Sequence, residues 1–521
     1  MSARPAARWV ALAGLVVVAT ALALRLGRST SFYFDDWTFI QDRRAWDLDA
    51  LLAPHNEHLS LVPVLVYKLL FEVAGIESYT PYRVAGLVVH ALVVVLLFVY
   101  ARRRVGDLAA LAAAAVVAVL GQAWPDVLWP FQIGFLGSLA AGLGALLALD
   151  RRDRRGDVTA AILLTVALAS SSLGIQLLAA AAVEVLLRPD RTRRWPVLAL
   201  PAVLYGAWYL QYGGQDHAGG YSFAATPAYV AEAAAGAAGA LFGLGTGWGW
   251  PLLAGLVVLL VLAVRRGVLV GWRLTALIAL PLAFWALTGI ARADLHEPAA
   301  PRYLYPGVLF LLLVAVEAAR GTRIASRGAA VALLVVLALV TVGHIHALRD
   351  GAGYLRDQAT SLDGSLAAMR LAAPHDLQPG FQPAPVVAPQ IHAAAYLGAV
   401  QALGNPAPPA AALPHRYERA REAADDTLAR AYGVRLVPLF VKPRGACRRA
   451  PVDFVLPAGG VTVASDGGTA KVGVRRYADV YRPAGGVTPN TARSLTIPRD
   501  ASSTPWRVRV SASGPVRVCD R

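Results

Sequence analysis

Lysine is nearly missing from this chain of 521 residues, since only Lys68, Lys442 and Lys471 are found among its 49 basic residues. Cysteine and methionine occur only twice each. The sequence also has no phosphate-binding P-loop, no dinucleotide-binding glycine fingerprint and no serine or cysteine nucleophile elbow. The absence of these motifs argues against ATP-driven chemistry carried out by this chain.

Apolar residues are abundant: they make up 57% of the chain, and the mean hydropathy is +0.51. A formal charge of +16 would indicate a nucleic-acid partner in a soluble protein. Here many of the arginines cluster in short loops beside apolar runs, where positive charge sets the orientation of membrane helices. The composition predicts a multi-pass protein of the cell membrane, with membrane lipids and no nucleic acid as partners.

Eleven apolar runs are candidates for membrane helices, although several fall short of the ~20 residues that span a bilayer. They lie near 8–27, 82–101, 107–123, 132–149, 157–170, 173–187, 196–212, 252–264, 273–290, 303–319 and 328–346. Five basic loops can all be assigned to the cytoplasm without conflict. They are Arg102–Arg104, Arg151–Arg155, Arg188–Arg194, Arg265–Arg266 with Arg273, and Arg320–Arg327. This topology places the N-terminus in the cytoplasm and the C-terminal region outside.

We therefore expect an α-helical polytopic membrane protein of about 11 transmembrane helices, with a membrane domain at 1–347 and an extracytoplasmic mixed α/β domain at 348–521. The larger outer loops are 28–81, 213–251 and 291–302. The apolar stretches 59–75 and 226–247 do not fit as crossings and are interpreted as interfacial or re-entrant helices. Residues 8–27 could instead be a cleaved signal peptide, which would leave the remaining orientation unchanged.

The C-terminal region predicts helices at about 353–373 and 416–432, followed by short alternating runs that are typical of strands. The predicted strands are Arg435–Val441, Val452–Leu456, Lys471–Arg476, Ser494–Ile497 and Trp506–Val510. Cys447 and Cys519 both lie in this region, and an external compartment permits disulfides. We predict that they pair, the alternative being two unrelated small buried residues.

An acidic pair, Asp35–Asp36, follows directly after the first apolar run. The surrounding Phe32, Tyr33, Phe34, Trp37 and Phe39 predict an aromatic belt at the membrane interface. Such a belt would hold the carboxylates near the membrane surface, where one of them could act as a general base. The alternative is a solvated pair that marks the end of a helix. Asp35, which is nearer the membrane exit, is the slightly favoured base.

Two further clusters are candidates for substrate binding. His55–Asn56–Glu57–His58 could contact a substrate hydroxyl or a metal ion, or could cap the helix that follows. Arg302, at the start of a span and next to Tyr303, could form bidentate bonds to phosphate or extend to the lipid headgroups. Arg292 and His296 lie just upstream in the same charged loop.

Weaker candidates lie elsewhere in the membrane domain. Asp126, between Trp124 and Trp129, is interpreted as a turn residue. His90 lies inside a span, where polar groups are costly and are functional candidates, although an interhelical hydrogen bond is the favoured interpretation.

Together with the topology, three features resemble the polytopic C-type (GT-C) membrane glycosyltransferase superfamily, especially its bacterial dolichyl-phosphate-mannose and aminoarabinose transferase-like branch. Asp35–Asp36 opens the first outer loop, that loop carries apparent interfacial helices, and a late outer loop ends in Pro301–Arg302–Tyr303. The resemblance covers about 1–347. The C-terminal domain has no counterpart in it.

The resemblance implies transfer of a sugar from a polyprenyl-phosphate carrier to a glycan, lipid or protein acceptor on the outer face. It implies Asp35 or Asp36 as general base, or as metal-linked activator, of the acceptor hydroxyl. It also implies Arg302 as the ligand of the carrier phosphate. It implies no role for the residues from His55 to His58, which we interpret as part of the lining of the site. If a divalent cation such as Mg²⁺ or Mn²⁺ is used, Asp36 and Glu57 would hold it.

Two other functions remain open from the sequence. A transporter or flippase of lipid-linked glycans would use a similar membrane domain, but such proteins tend to show internal repeats and charges near the membrane midplane. We detect no repeat, and the ionisable residues crowd the outer boundary. The other alternative is a non-catalytic assembly protein of the cell envelope, with the C-terminal domain as its binding part.

Overall fold

The computed structural model describes residues 5–213, 221–267, 270–294, 297–440 and 446–521. Its α-helices are α1 (Pro5–Leu26), α2 (Asp36–Asp42), α3 (Leu48–Leu52), α4 (Leu61–Ala74), α5 (Thr80–Val105), α6 (Asp107–Ala118), α7 (Trp124–Leu128), α8 (Ile133–Leu149), α9 (Arg154–Ser170), α10 (Leu173–Leu187), α11 (Arg191–Arg194), α12 (Pro196–Tyr212), α13 (Thr226–Leu241), α14 (Gly249–Arg265), α15 (Trp272–Arg292), α16 (Pro301–Ala318), α17 (Arg327–Ala372), α18 (Ala393–Leu403) and α19 (Glu418–Ala431). Its strands are β1 (Val437–Pro438), β2 (Cys447–Arg449), β3 (Val452–Val455), β4 (Val461–Ser465), β5 (Thr469–Arg475), β6 (Arg482–Val487), β7 (Ala492–Leu495), β8 (Arg507–Ser513) and β9 (Val516–Asp520).

The chain divides into two compact units. The membrane unit contains the residues up to Arg28, together with Arg43–Val73 and Thr80–Tyr354. The C-terminal unit contains Leu355–Arg521 and also takes in Ser29–Asp42 and Ala74–Tyr79. The segment that bears Asp35 and Asp36 therefore belongs to the C-terminal unit, although the sequence places it in the first outer loop of the membrane domain.

Within the described residues, eight helical segments are long and apolar enough to cross a membrane. They are Ala6–Leu26, Thr80–Val105, Asp107–Leu128, Pro130–Leu149, Thr246–Arg265, Trp272–Arg292, Pro301–Ala318 and Arg327–Ala372. The remaining three of the eleven apolar runs form α9, α10 and α12, which have 17, 15 and 17 residues. All eleven runs are thus helical, and three fall below the ~20 residues of a full span.

The two stretches that did not fit as crossings have different structures. In α4, the side chains of Leu65, Leu69 and Val73 are exposed on one side, as expected for an interfacial helix. In α13, by contrast, the residues from Ala233 to Leu241 are buried. They pack against α14, α15 and α16, because alanine and glycine allow helices to approach closely. Of the two interpretations of 226–247, the interfacial one is therefore wrong, since α13 is a packed helix, and the re-entrant one stays a prediction.

One helix, α17, covers 46 residues and joins two elements that the sequence analysis treated as separate, a last span and a helix at 353–373. The predicted boundary at 347–348 lies inside it. No proline interrupts the helix, although it contains five glycines, each of which costs about 1 kcal/mol relative to alanine in a helix interior. Gly351 has a packing role, because a Cβ there would lie 2.2 Å from the Trp124 side chain.

The C-terminal unit contains two antiparallel sheets, in the strand orders β1-β7-β4-β9-β2 and β3-β8-β5-β6. Valines from both sheets, such as Val463 and Val472, share one buried cluster with Ala368 of α17 and Leu428 of α19. The predicted strands overlap β1, β3, β5, β7 and β8. The prediction missed β2, β4, β6 and β9, of which β4 is buried at every position and so lacks the alternating pattern of a half-exposed strand.

Cys447 and Cys519 form a disulfide that joins β2 to β9, where the two residues are direct partners in the antiparallel register. The bridge closes a loop with a sequence separation of 72 residues. In the chain-entropy description, closing a loop of this length lowers the entropy of the unfolded chain and stabilises the fold by about 4 kcal/mol.

Replacing both cysteines by alanine is therefore expected to lower the unfolding temperature of the full chain. The loss corresponds to about 4 kcal/mol if the chain-entropy description holds. Thermal unfolding with and without a reductant measures it. Reductant should lower the unfolding temperature of the unchanged protein and leave that of the double variant unaffected. An equal response of both proteins to reductant would contradict the prediction.

Candidate functional site

Asp36 is the first residue of α2 and is fully buried. Its Oδ2 atom accepts hydrogen bonds from the backbone N–H of Tyr33 and from the hydroxyl of Tyr79, both at 2.9 Å. Phe34 has a left-handed backbone, with φ of 46°, which turns the chain into the helix. The carboxylate of Asp36 thus fastens this turn to Tyr79.

Asp35 precedes it in the chain and is also nearly buried, with an exposed fraction of 9% against 0% for Asp36. The preference for Asp35 as the residue that meets a substrate stays a prediction.

The aromatic residues around the pair are mostly core residues. Phe32, Trp37 and Phe39 are buried, and the ring of Trp37 lies 5.6 Å from that of Tyr396 in α18. Trp37 Nε1 also donates a hydrogen bond to the backbone oxygen of Phe32 at 3.2 Å. The prediction of an interfacial aromatic belt is wrong for these three rings, because they pack inside the C-terminal unit.

In the membrane unit, His55–Asn56–Glu57–His58 forms a tight turn. His55 and His58 exchange two backbone hydrogen bonds of 3.0 Å, and Asn56 and Glu57 have φ of 49° and 70°. Positive φ at both central residues is the pattern of a type I′ turn, which costs about 1–2 kcal/mol per residue without glycine. The segment is therefore a turn and not the helix cap considered as an alternative, since α4 begins only at Leu61.

The turn is fixed by Arg292, the last residue of α15. Its Nη2 atom donates to the backbone oxygen of Asn56 at 3.1 Å and lies 3.2 Å from Oε2 of Glu57. Both side chains are largely buried, which strengthens their attraction relative to a surface pair. The structure thus brings together two residues predicted for the site, Glu57 and Arg292, which are 235 positions apart in the chain.

Arg302 and Tyr303 occupy the first turn of α16. The guanidinium of Arg302 lies over the Tyr303 ring, 5.0 Å from its centroid, and Nη2 donates to the Tyr303 hydroxyl at 3.3 Å. Within the described ranges, Arg302 makes no ion pair with a carboxylate. A half-buried guanidinium at the positive end of a helix dipole is suited to bind an anion.

His58 lies within electrostatic range of Arg302 and Arg292. Burial lowers the pKa of His58 to about 3, and the positive charge of Arg292 acts in the same direction. His58 is therefore neutral at physiological pH and adds no positive charge. It can accept or donate a hydrogen bond next to Arg302.

Asp126 was interpreted from the sequence as a turn residue, but its surroundings make it a stronger candidate for the site. It lies in the short helix α7 with an exposed fraction of 2%, and neither carboxylate oxygen has a hydrogen-bond partner among the described residues. Arg302 and Tyr305 are within electrostatic range of it. Tyr305 in turn bonds His90 Nδ1 at 2.9 Å, which is the interhelical hydrogen bond expected for His90. A buried carboxylate without hydrogen bonds is costly and so is a candidate functional group.

Replacing Asp126 by asparagine is expected to leave the free energy of unfolding nearly unchanged, because neither side-chain oxygen of Asp126 makes a hydrogen bond among the described residues. Asp150→Asn is the matched destabilising control, since Asp150 lies 3.2 Å from both Arg104 and Arg273. Thermal unfolding of the purified variants measures both effects. A loss of stability for Asp126→Asn as large as for Asp150→Asn would mean that Asp126 is a structural residue.

The side chains of the described residues do not form a metal-binding site by themselves. No group of three or more histidine, cysteine, aspartate or glutamate side chains that could hold a metal occurs among them. Of the two carboxylates expected to hold a cation, Glu57 is paired with Arg292, and Asp36 accepts two hydrogen bonds. We therefore derive no step through a metal. His296, also predicted for the site, lies outside the described residues.

No protein-family model matches the sequence, and no curated protein matches it. Among solved structures, ArnT from Cupriavidus metallidurans in the apo state aligns with a TM-score of 0.48 and 16% identity, over 72% of this chain and 82% of that chain. The same protein bound to undecaprenyl phosphate aligns with a TM-score of 0.45 and 16% identity, over 71% and 81% of the two chains.

An oligosaccharyltransferase from Archaeoglobus fulgidus, solved with Zn and sulfate, aligns with a TM-score of 0.31 and 15% identity, over 77% of this chain and 55% of that chain. The fold defines a helical multi-pass membrane protein with a C-terminal β domain.

Proposed function

We propose that this protein is a membrane glycosyltransferase that uses a polyprenyl-phosphate-linked sugar as donor and acts on a cell-envelope acceptor at the outer face. The observation that carries the proposal is Arg302, whose half-buried guanidinium is without an ion pair among the described residues, at the N-terminus of a candidate membrane span. Such a group fits the phosphate of a lipid carrier, because a charge-assisted, bidentate bond is available to it.

In the proposed reaction, the carrier phosphate is the leaving group. Negative charge grows on its oxygen as the bond to the anomeric carbon breaks, and Arg302 stabilises that charge. Tyr303 orients the guanidinium of Arg302 by accepting a hydrogen bond from it. Neutral His58 leaves the positive charge on Arg302 available to the phosphate.

We assign the general-base role to Asp35. Its carboxylate takes the proton of the acceptor hydroxyl, and the hydroxyl oxygen forms the new bond to the anomeric carbon while the carrier phosphate departs. Asp36 positions the turn that carries Asp35 through its bond to Tyr79. The products are the glycosylated acceptor and the free polyprenyl phosphate.

Lipid-linked sugar profiling of a deletion strain tests this function. We expect one polyprenyl-phosphate sugar to accumulate, and mass spectrometry of its headgroup would identify the donor. Purified protein added to that donor and to envelope acceptors should release polyprenyl phosphate. A flippase would move the intact donor without releasing it, so donor transport without release would refute the transferase proposal.

A further inference from the structure

A second cluster of charged residues lies at the opposite end of α16 from Arg302. Glu317, near the C-terminal end of this helix, is 15 residues and thus about 22 Å along the axis from Arg302. A cavity of about 240 Å³ opens beside it. Six arginines line the cavity: Arg103, Arg104, Arg152, Arg188, Arg273 and Arg320. They come from all five basic loops that the sequence predicts to lie on one face of the membrane.

Positive charge exceeds negative charge around this cavity. Asp150 and Glu184 are the acidic residues of its lining. Two further carboxylates lie behind the lining and pair with its arginines. Glu317 pairs with Arg104 and Arg320, and Asp190 lies 2.9 Å from Arg188. Four carboxylates therefore face six guanidinium groups, and the cavity keeps a net positive charge. It is suited to an anion.

Five of the six arginines divide into two sets, and the sixth, Arg320, is exposed and pairs with Glu317 at 2.9 Å. Arg104, Arg188 and Arg273 are buried and ion-paired, with Arg273 bridging Asp150 at 3.2 Å and Glu184 at 2.8 Å. Removing a partner from such a buried pair is strongly destabilising, so these residues hold the walls together. They connect the ends of α5, α8, α10, α15 and α16.

The second set, Arg103 and Arg152, is exposed at the mouth of the cavity. Arg152 makes no ion pair within the part of the chain that the structure describes, and Arg103 reaches only Asp150, at 4.0 Å. Arg152 also has a left-handed backbone with φ of 56°, a conformation that carries an energetic cost for a residue other than glycine. Two guanidinium groups at the mouth of the cavity are thus free to bind a ligand.

The size of the cavity and its position at the ends of candidate membrane helices restrict the ligand. A volume of 240 Å³ is below the ~300–1,000 Å³ of pockets that bind whole drug-sized molecules, and so it suits a single headgroup. Trp272 lines the cavity, and its ring lies 5.5 Å from the guanidinium of Arg188. Tryptophans at the ends of membrane helices sit at the level of the lipid headgroups. Basic pockets between helices at this level bind anionic lipids.

We propose that this cavity binds a phosphate group, and its place at the ends of candidate membrane helices, beside Trp272, indicates that an anionic lipid headgroup presents it. Arg103 and Arg152 would form charge-assisted hydrogen bonds to the phosphate oxygens, and the buried ion pairs would keep the cavity open. The proposal does not depend on the glycosyltransferase function, since it concerns the opposite end of α16.

The test uses the full-length protein in mixed micelles of phosphatidylglycerol and phosphatidylcholine, with native mass spectrometry to count retained lipids. The variant is Arg103→Ala with Arg152→Ala. The matched control is Arg154→Ala with Arg155→Ala, which removes the same charge from exposed residues of the same loop that do not line the cavity. We expect the control to retain as many phosphatidylglycerol molecules as the unchanged protein. The variant should retain one fewer and bind this lipid about tenfold more weakly.

Inorganic phosphate, titrated in micelles of phosphatidylcholine alone, distinguishes the two sources of the phosphate group. A rise in unfolding temperature that the variant loses and the control keeps would assign the cavity to a soluble phosphate. No rise, together with the loss of one phosphatidylglycerol in the variant, would assign it to a lipid. Equal lipid retention and an equal response to phosphate in the two double variants would overturn the proposal.

Discussion

Replacing Asp35 by asparagine should lower the rate of sugar transfer by about 10²- to 10⁴-fold, which is the range that a positioned general base contributes. Asparagine has nearly the same shape and cannot take the proton of the acceptor hydroxyl. This similarity of shape should also let the fold tolerate the change. Single-turnover transfer from a lipid-linked donor, with polyprenyl phosphate as the measured product, isolates the chemical step from substrate binding.

The controls for this prediction are Asp36→Asn and Tyr79→Phe. Tyr79→Phe removes a hydrogen bond to a buried carboxylate, which should cost about 1.5–3 kcal/mol of stability. Both controls should lower the unfolding temperature more than Asp35→Asn does, and slow transfer less. Full transfer activity in Asp35→Asn, with loss of activity in Asp36→Asn, would exchange the roles of the two aspartates. Full activity in both would remove the basis for the mechanism.

Replacing Arg302 by alanine is expected to weaken donor binding by about 10- to 100-fold, because a charge-assisted hydrogen bond to phosphate contributes about 1.5–3 kcal/mol. The loss should appear in both KM and kcat, since the charge on the leaving phosphate grows in the transition state. Steady-state kinetics with a lipid-linked donor measures both constants. Binding of free polyprenyl phosphate should weaken in parallel.

Two further variants separate the charge of Arg302 from its geometry. Arg302→Lys keeps the positive charge and loses the bidentate fork, so its activity should lie between those of the unchanged protein and Arg302→Ala. Tyr303→Phe keeps the ring beneath the guanidinium and removes only the hydroxyl that accepts its hydrogen bond. Its effect should be several times smaller. Unchanged KM and kcat in Arg302→Ala would refute the assignment of Arg302 to the donor phosphate.

The helices of the membrane unit were predictable because a long apolar run has few structures available to it in a bilayer. An apolar pattern does not show whether the face of a helix contacts lipid or protein. For this reason α13, which is rich in alanine and glycine, was interpreted as interfacial although it is packed inside the bundle. The rings of Phe32, Trp37 and Phe39 were placed at the membrane surface for the same reason, and they are core residues.

The candidate site was less predictable, because its geometry depends on residues far apart in the chain. Arg292 and Glu57 were each singled out, but the sequence contains no sign that they pair with each other. The turn at Asn56–Glu57 lacks the glycine that normally marks a type I′ turn. Asp126 was interpreted as a turn residue, since its burial becomes evident only when the helices around it are assembled.

The near absence of lysine has a practical consequence at the arginine-lined end of the bundle. A lysine buried as deeply as Arg104 could shed its proton in alkaline solution, whereas a guanidinium keeps its charge. Alkaline extraction buffers should therefore leave the ends of α5, α10, α15 and α16 fastened together. The protein should therefore tolerate alkaline buffers during purification.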